Sequence, residues 1–137
     1  MSAAPPAGSW RDGYEASLAH IEALADISRR RVTAIDRVQA ELERTVVEGW
    51  SPRRDVRVEL DSAGLIRDVE FTEAAPASSP LALGRSVGAA HAAALAELQR
   101  RVDALAEREL DEGDPLRASL VTTYRDTVGR RLAELEQ

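Results

Sequence analysis

Residues 54–71 read Arg54-Asp55-Val56-Arg57-Val58-Glu59-Leu60-Asp61-Ser62-Ala63-Gly64-Leu65-Ile66-Arg67-Asp68-Val69-Glu70-Phe71. Val56, Val58 and Leu60 alternate with Asp55, Arg57 and Glu59. That period of two gives a strand one apolar and one charged face. Asp61-Ser62-Ala63-Gly64 supplies a turn, with Gly64 free to take positive φ. The run that follows places Leu65, Val69 and Phe71 on one face, with Arg67 intruding, and Ile66 on the other. Upstream, Thr45-Val46-Val47-Glu48-Gly49-Trp50 gathers β-branched residues and reads as a first strand, which Ser51-Pro52 turns into the second. The expectation is a small three-stranded antiparallel sheet.

Helices flank it. Ser9 is an N-cap for a long helix ending near Arg44. Tyr14, Leu18, Ile21, Ala25, Ser28, Val32, Ile35, Gln39 and Leu42 step by four and three, a heptad seam weakened by Ala25, Ser28 and Gln39. Such a helix is more than twice the ~20 Å that a six-residue strand covers, so half of it must pack on something other than its own sheet. Thr72 to Ser79, with Pro76, is a loop. Ser79-Pro80 starts a second helix, which runs from about Leu81 to Asp111. Its seam is Val87 or Gly88, His91, Leu95, Leu98, Val102 and Leu105. Gly113-Asp114-Pro115 ends it, and Asp114 caps a last helix with Leu116, Leu120, Tyr124, Val128, Leu132 and Leu135 on one face. The fold class is α+β. Residues 1–8 are expected to be a disordered leader, 9–111 the domain, and 112–137 an additional C-terminal helix.

A length of 137 residues fits one domain, and no Cys is present for a disulfide or a thiolate metal site. No apolar run is long enough to span a membrane and no leader has the pattern of a secretion signal, so the cytoplasm is the default location. All 18 basic residues are Arg, each a planar fork able to pair bidentately with carboxylate or phosphate. The net charge of −6 argues against indiscriminate polyanion binding. The charge is segregated, however: residues 27–57 hold eight Arg against five acids, and 117–131 hold four Arg against one.

Catalytic motifs are weak. Gly84-Arg85-Ser86-Val87-Gly88 has the spacing of a nucleophile elbow, which needs a sharp strand-to-helix turn followed by an acid and then a His. Here a Pro-containing loop precedes it and His91 is the only downstream His. A helix start in which Gly84 and Gly88 permit close backbone approach is the simpler reading, and no enzyme activity is expected. A Walker loop is excluded for want of Lys. His91 lies on an apolar seam and reads as a buried or interface residue. His20 reads as surface, and too few ligands exist for a metal. No cofactor is expected. Trp10 and Trp50 read as packing anchors.

The order of long helix, small sheet and long Ala-rich helix, centred on Ser51-Pro52-Arg53-Arg54 through Phe71, resembles the YbaB/EbfC family of nucleoid-associated proteins. The likeness to its actinobacterial branch lies in a Ser at the helix-to-sheet joint, the Val56-x-Val58 strand, the acidic-Gly turn and an Ala-rich helix beginning near Leu81-Ala82-Leu83-Gly84-Arg85. It covers roughly residues 14–110. Many members carry Gly just before the second strand, where this chain has Arg53-Arg54. The resemblance implies a homodimer with paired sheets and protruding helices, located at the nucleoid, that binds double-stranded DNA with little sequence choice.

On that reading Arg29, Arg30 and Arg31 contact phosphate, with Arg53, Arg54, Arg130 and Arg131 as further DNA-binding candidates. The alternative for Arg29–Arg31 is a solvated helix face pairing with Asp26 or Asp36. Arg100 and Arg101, among Glu97, Asp103 and Glu107, are expected to pair within their helix. No aromatic residues interleave with the arginines, which disfavours single-strand stacking. The acidic balance, the heptad seams and the extra helix also fit a protein-interaction adaptor or chaperone-like scaffold linked to type VII secretion, with a protein as partner.

Overall fold

The computed structural model describes residues 7–75 and 79–136. Helix α1 spans Ala7–Arg44, strands β1, β2 and β3 span Val46–Trp50, Val56–Asp61 and Ile66–Phe71, and helices α2 and α3 span Pro80–Glu109 and Pro115–Leu135. This is the expected α+β order. The chain divides into two compact units, up to Asp36 and from Arg37 onward.

The first unit is helical from Ala7, so Ser9 lies inside α1 instead of capping it, and Ala7 and Gly8 of the expected leader are helical. Residues 1–6 lie outside the described set. Along this stretch Trp10, Tyr14, Leu18, Ile21, Leu24, Ile27 and Val32 are all exposed. Trp10, 60% exposed, is therefore no packing anchor within the chain.

In the second unit the sheet order is β1-β2-β3, antiparallel throughout. Val47, Val56, Val58 and Leu60 face a core completed by Ala90, Ala94, Leu95, Leu98 and Val102 of α2 and Val128 of α3. Leu42 near the end of α1 packs on this core. Val38 is buried and Gln39 exposed, so the last part of the α1 seam runs through Val38 and not Gln39.

The helix seam read on α2 is only part of its contact surface. Ala90 and Ala94 are fully buried as well, because α2 touches the sheet on one side and α3 on another. The close approach belongs to Gly49 in β1: a Cβ there would stand 2.2 Å from the Ala94 nitrogen and 2.3 Å from the Ala90 oxygen. Gly84 and Gly88, by contrast, have nothing within 4 Å of where a Cβ would be. The close backbone approach expected of them is corrected to Gly49.

The turn forms as read. Asp61 Oδ1 accepts hydrogen bonds from the Ala63 (2.9 Å) and Leu65 (3.0 Å) amides, and Gly64 takes φ +78°. Strand β3 departs from expectation. Val58 faces Val69 and Glu59 faces Asp68, but Leu60 faces Ile66, so the register shifts and Arg67 is skipped. Ile66 joins Val69 and Phe71 on the apolar side in place of Leu65. The bulge keeps a charged side chain off that face; Arg67 instead reaches Glu59 at 3.9 Å.

The caps follow the sequence. The Ser79 hydroxyl accepts from the Ala82 amide at 3.1 Å with Pro80 in the first turn, and the Asp114 carboxylate accepts from the Leu116 amide at 2.9 Å. Pro76 in the preceding loop lies outside the described residues. Leu120, Tyr124 and Leu132 of α3 pack against the core beside Val128.

Candidate nucleic-acid interface

The β1–β2 loop is built on a buried carboxylate. Asp55 is 1% exposed. The Ser51 hydroxyl donates to its Oδ1 at 2.5 Å, and the Ser86 hydroxyl, from α2, donates to its Oδ2 at 2.9 Å. Ser51 Oγ also accepts from the Asp55 and Val56 amides, each at 3.1 Å. Burying a carboxylate costs several kcal/mol unless its lone pairs are satisfied, and here two hydroxyls take both oxygens. The tie clamps the loop to α2. Ser86, read in the sequence as part of an elbow-like pattern, is a buried residue inside a continuous helix.

Arg53 and Arg54 stand on this loop. Arg54 takes φ +57°, a left-handed conformation that favours Gly. Its guanidinium lies over the Trp50 ring at 5.1 Å, and its carbonyl accepts from Thr72 Oγ1 at 2.8 Å. Arg53 is exposed and has no ion pair among the described residues. The structure also brings Arg85, which the sequence reading did not select, to the same cleft as Arg53. The signal was present in Gly84-Arg85-Ser86 but is visible as a site only once Ser86 is tied to Asp55.

Arg29, Arg30 and Arg31 lie on α1 in the first unit, all exposed. Arg29 pairs with Asp26, as the alternative reading anticipated, while Arg30 has no ion pair among the described residues. On α3, Arg131 reaches Glu134 at 3.4 Å and Arg130 is exposed without an ion pair among the described residues. An exposed pair of this kind contributes only about 0–1 kcal/mol, so it can give way to a phosphate.

Other arginines are committed elsewhere. Arg100 and Arg101 both reach Glu97, at 2.7 and 3.3 Å. On the outer sheet face Arg57 contacts Glu48 (3.2 Å), Glu59 (3.1 Å), Asp68 (3.2 Å) and Glu70 (3.1 Å). Hydrogen bonds to Glu59 and then Glu70 hold its guanidinium well above its ordinary pKa. Four carboxylates around one guanidinium leave that face negative, which repels a polyanion. His91 has a buried Nε2 without a hydrogen-bond partner; burial, and then the charge of Arg131, push its pKa down.

The model of the YbaB/EbfC DNA-binding family matches residues 21–112. The chain belongs to this family. The match takes in the end of the exposed part of α1, the sheet and all of α2, and it stops before α3. No curated protein and no solved structure matches the chain. No described helix is long and apolar enough to cross a membrane. In this YbaB/EbfC chain the loop before β2 carries a left-handed Arg54.

Proposed function

We propose that this YbaB/EbfC chain is a dimeric, nucleoid-located protein that binds double-stranded DNA through phosphate contacts with little sequence choice. Membership in a DNA-binding family is the observation that carries the reading. The arginines assigned to it are Arg29, Arg30 and Arg31 on α1, Arg53 and Arg54 on the β1–β2 loop, and Arg130 and Arg131 on α3. All but Arg131 are exposed, and Arg131 is half-buried. Their exposure suits contact with a backbone, which needs charge and reach more than shape. Few aromatic side chains stand beside them, in keeping with duplex rather than single-strand binding.

Self-association supplies partners for surfaces the single chain leaves bare. The apolar residues of α1 up to Val32 are exposed. Strand β3 is an edge strand whose Ile66 and Phe71, like Leu65 just before it, are about half exposed, and an edge of this kind pairs readily with a second copy.

The test is anisotropy of a labelled random duplex at low and near-physiological salt, with mass by light scattering. Saturable binding by a dimer that weakens with salt is expected. Replacing Arg29, Arg30 and Arg31 together by Ala should weaken it and flatten the salt dependence. A folded protein that binds no duplex at low salt sinks the reading and leaves the adaptor alternative.

A further inference from the structure

We infer that the cleft between the β1–β2 loop and the first turns of α2 is a phosphate-binding site, with Arg53 and Arg85 as its two cationic walls. The cleft is lined by Pro52, Arg53, Ala82, Arg85, Ser86 and Ala89 and has a volume of about 250 Å³. That is below the roughly 300–1,000 Å³ of pockets for drug-sized ligands. It suits a small anion, or one phosphate of a longer polymer, and not a whole nucleotide.

Three features support the assignment. The first is unpaired charge. Neither Arg53 nor Arg85 has an ion pair among the described residues, although the chain carries 24 acids against 18 Arg. Arg57 alone gathers four carboxylates. Two guanidiniums brought to one cleft without a carboxylate repel each other, and a bound anion removes that repulsion.

The second feature is rigidity. Arg53 rides on a loop and Arg85 on a helix, and the two supports are joined beneath the cleft by Ser51, Asp55 and Ser86. The Arg54 amide donates to the Ser51 carbonyl at 2.9 Å and the Thr72 amide to the Asp55 carbonyl at 2.9 Å, which fixes the loop from its other side. Asp55 is buried beneath Ser86 and does not line the cleft, so it does not occupy the space between the two arginines. Fixed walls lower the ordering cost of holding a ligand between them.

The third is donor chemistry. Guanidinium forks match phosphate oxygens bidentately, and Ala82 and Ala89 leave the floor between them free of bulk.

That the phosphate belongs to DNA rests on the proposed function; that the cleft takes a phosphate group does not. Spectra of the arginine Nε–H groups of the full chain are recorded while inorganic phosphate is added, against chloride at equal ionic strength. Arg53 and Arg85 should shift together and saturably with phosphate only; no shift at either overturns the site.

Duplex binding is then compared between the wild type and the Arg53→Ala/Arg85→Ala variant. Both side chains are exposed and unpaired, so the variant should keep its circular dichroism and melting temperature. Because the two arginines hold one phosphate, the slope of log affinity against log salt should fall by about 1, with roughly tenfold weaker binding. Phosphate shifts from a protein that binds no duplex would keep the site, with free phosphate as its ligand, and overturn the DNA reading. A wild type and variant that bind duplex equally would overturn the assignment to DNA.

Discussion

Gly49 is the residue on which the sheet-to-helix distance depends. An added Cβ would overlap the backbone of α2 at Ala90 and Ala94, where no side-chain rotation can relieve it. Gly49→Ala should therefore destabilise the fold by about 3 kcal/mol, read as a lower urea midpoint with an unchanged slope. His91 gives a second prediction. Its folded pKa is pushed below the ordinary 6.5 by burial and by Arg131, with Glu134 opposing. As pH falls the unfolded chain takes up the proton first, so His91's contribution is fully present above about pH 6.5 and is lost as pH falls from there through the folded pKa. His91→Leu should show a smaller drop in melting temperature between about pH 7.5 and about pH 5.5 than the wild type. Equal drops would place the acid sensitivity elsewhere. The left-handed backbone at Arg54 was not legible in the sequence, where nothing distinguishes Arg54 from Arg53; only the folded loop shows it.

At the scale of elements, strand β3 shows a local pattern overruled by pairing. Its sequence has a charge in the middle of what should be an apolar face, and period two alone puts Leu65 inward. The register shift opposite Glu59 and Leu60 exchanges Ile66 for Leu65 and turns Arg67 toward the charged side. The opposite face is organised by Arg57, whose side chain is only 16% exposed among four acidic partners. Three of these partners are more than half exposed, which screens each interaction. Arg57→Ala leaves like charges directly across the strands. The expected loss is about 1 kcal/mol, shrinking as salt is added. A melting temperature that matches the wild type at low salt would show that the network adds nothing.

For the whole molecule, the two units differ in how they are held. The second has a buried core, whereas the described part of the first is a helix whose large apolar residues are exposed. Helices in proteins owe most of their stability to the packing of an apolar face and less to propensity. If a second copy covers it, Leu18→Glu combined with Ile21→Glu should convert the dimer to a monomer by light scattering and reduce the helical signal. Amide resonances of residues 37–137 should persist. A dimer that survives this double substitution would assign the contact to β3 or another surface, and substitutions at Ile66 and Phe71 would then be the ones to change mass.

The sequence by itself determined the element order, the turn at Gly64, the caps at Ser79 and Asp114, and the family. These depend on neighbours a few residues apart, through periodicity, fixed backbone preferences and short-range hydrogen bonds. The close approach at Gly49, the register of β3, the Ser51–Asp55–Ser86 tie and the meeting of Arg53 with Arg85 were decided only by the tertiary structure. Each joins residues from separate elements, Ser86 standing 31 positions from Asp55, and no local pattern encodes which of many polar or small residues will meet once the helix is laid on the sheet.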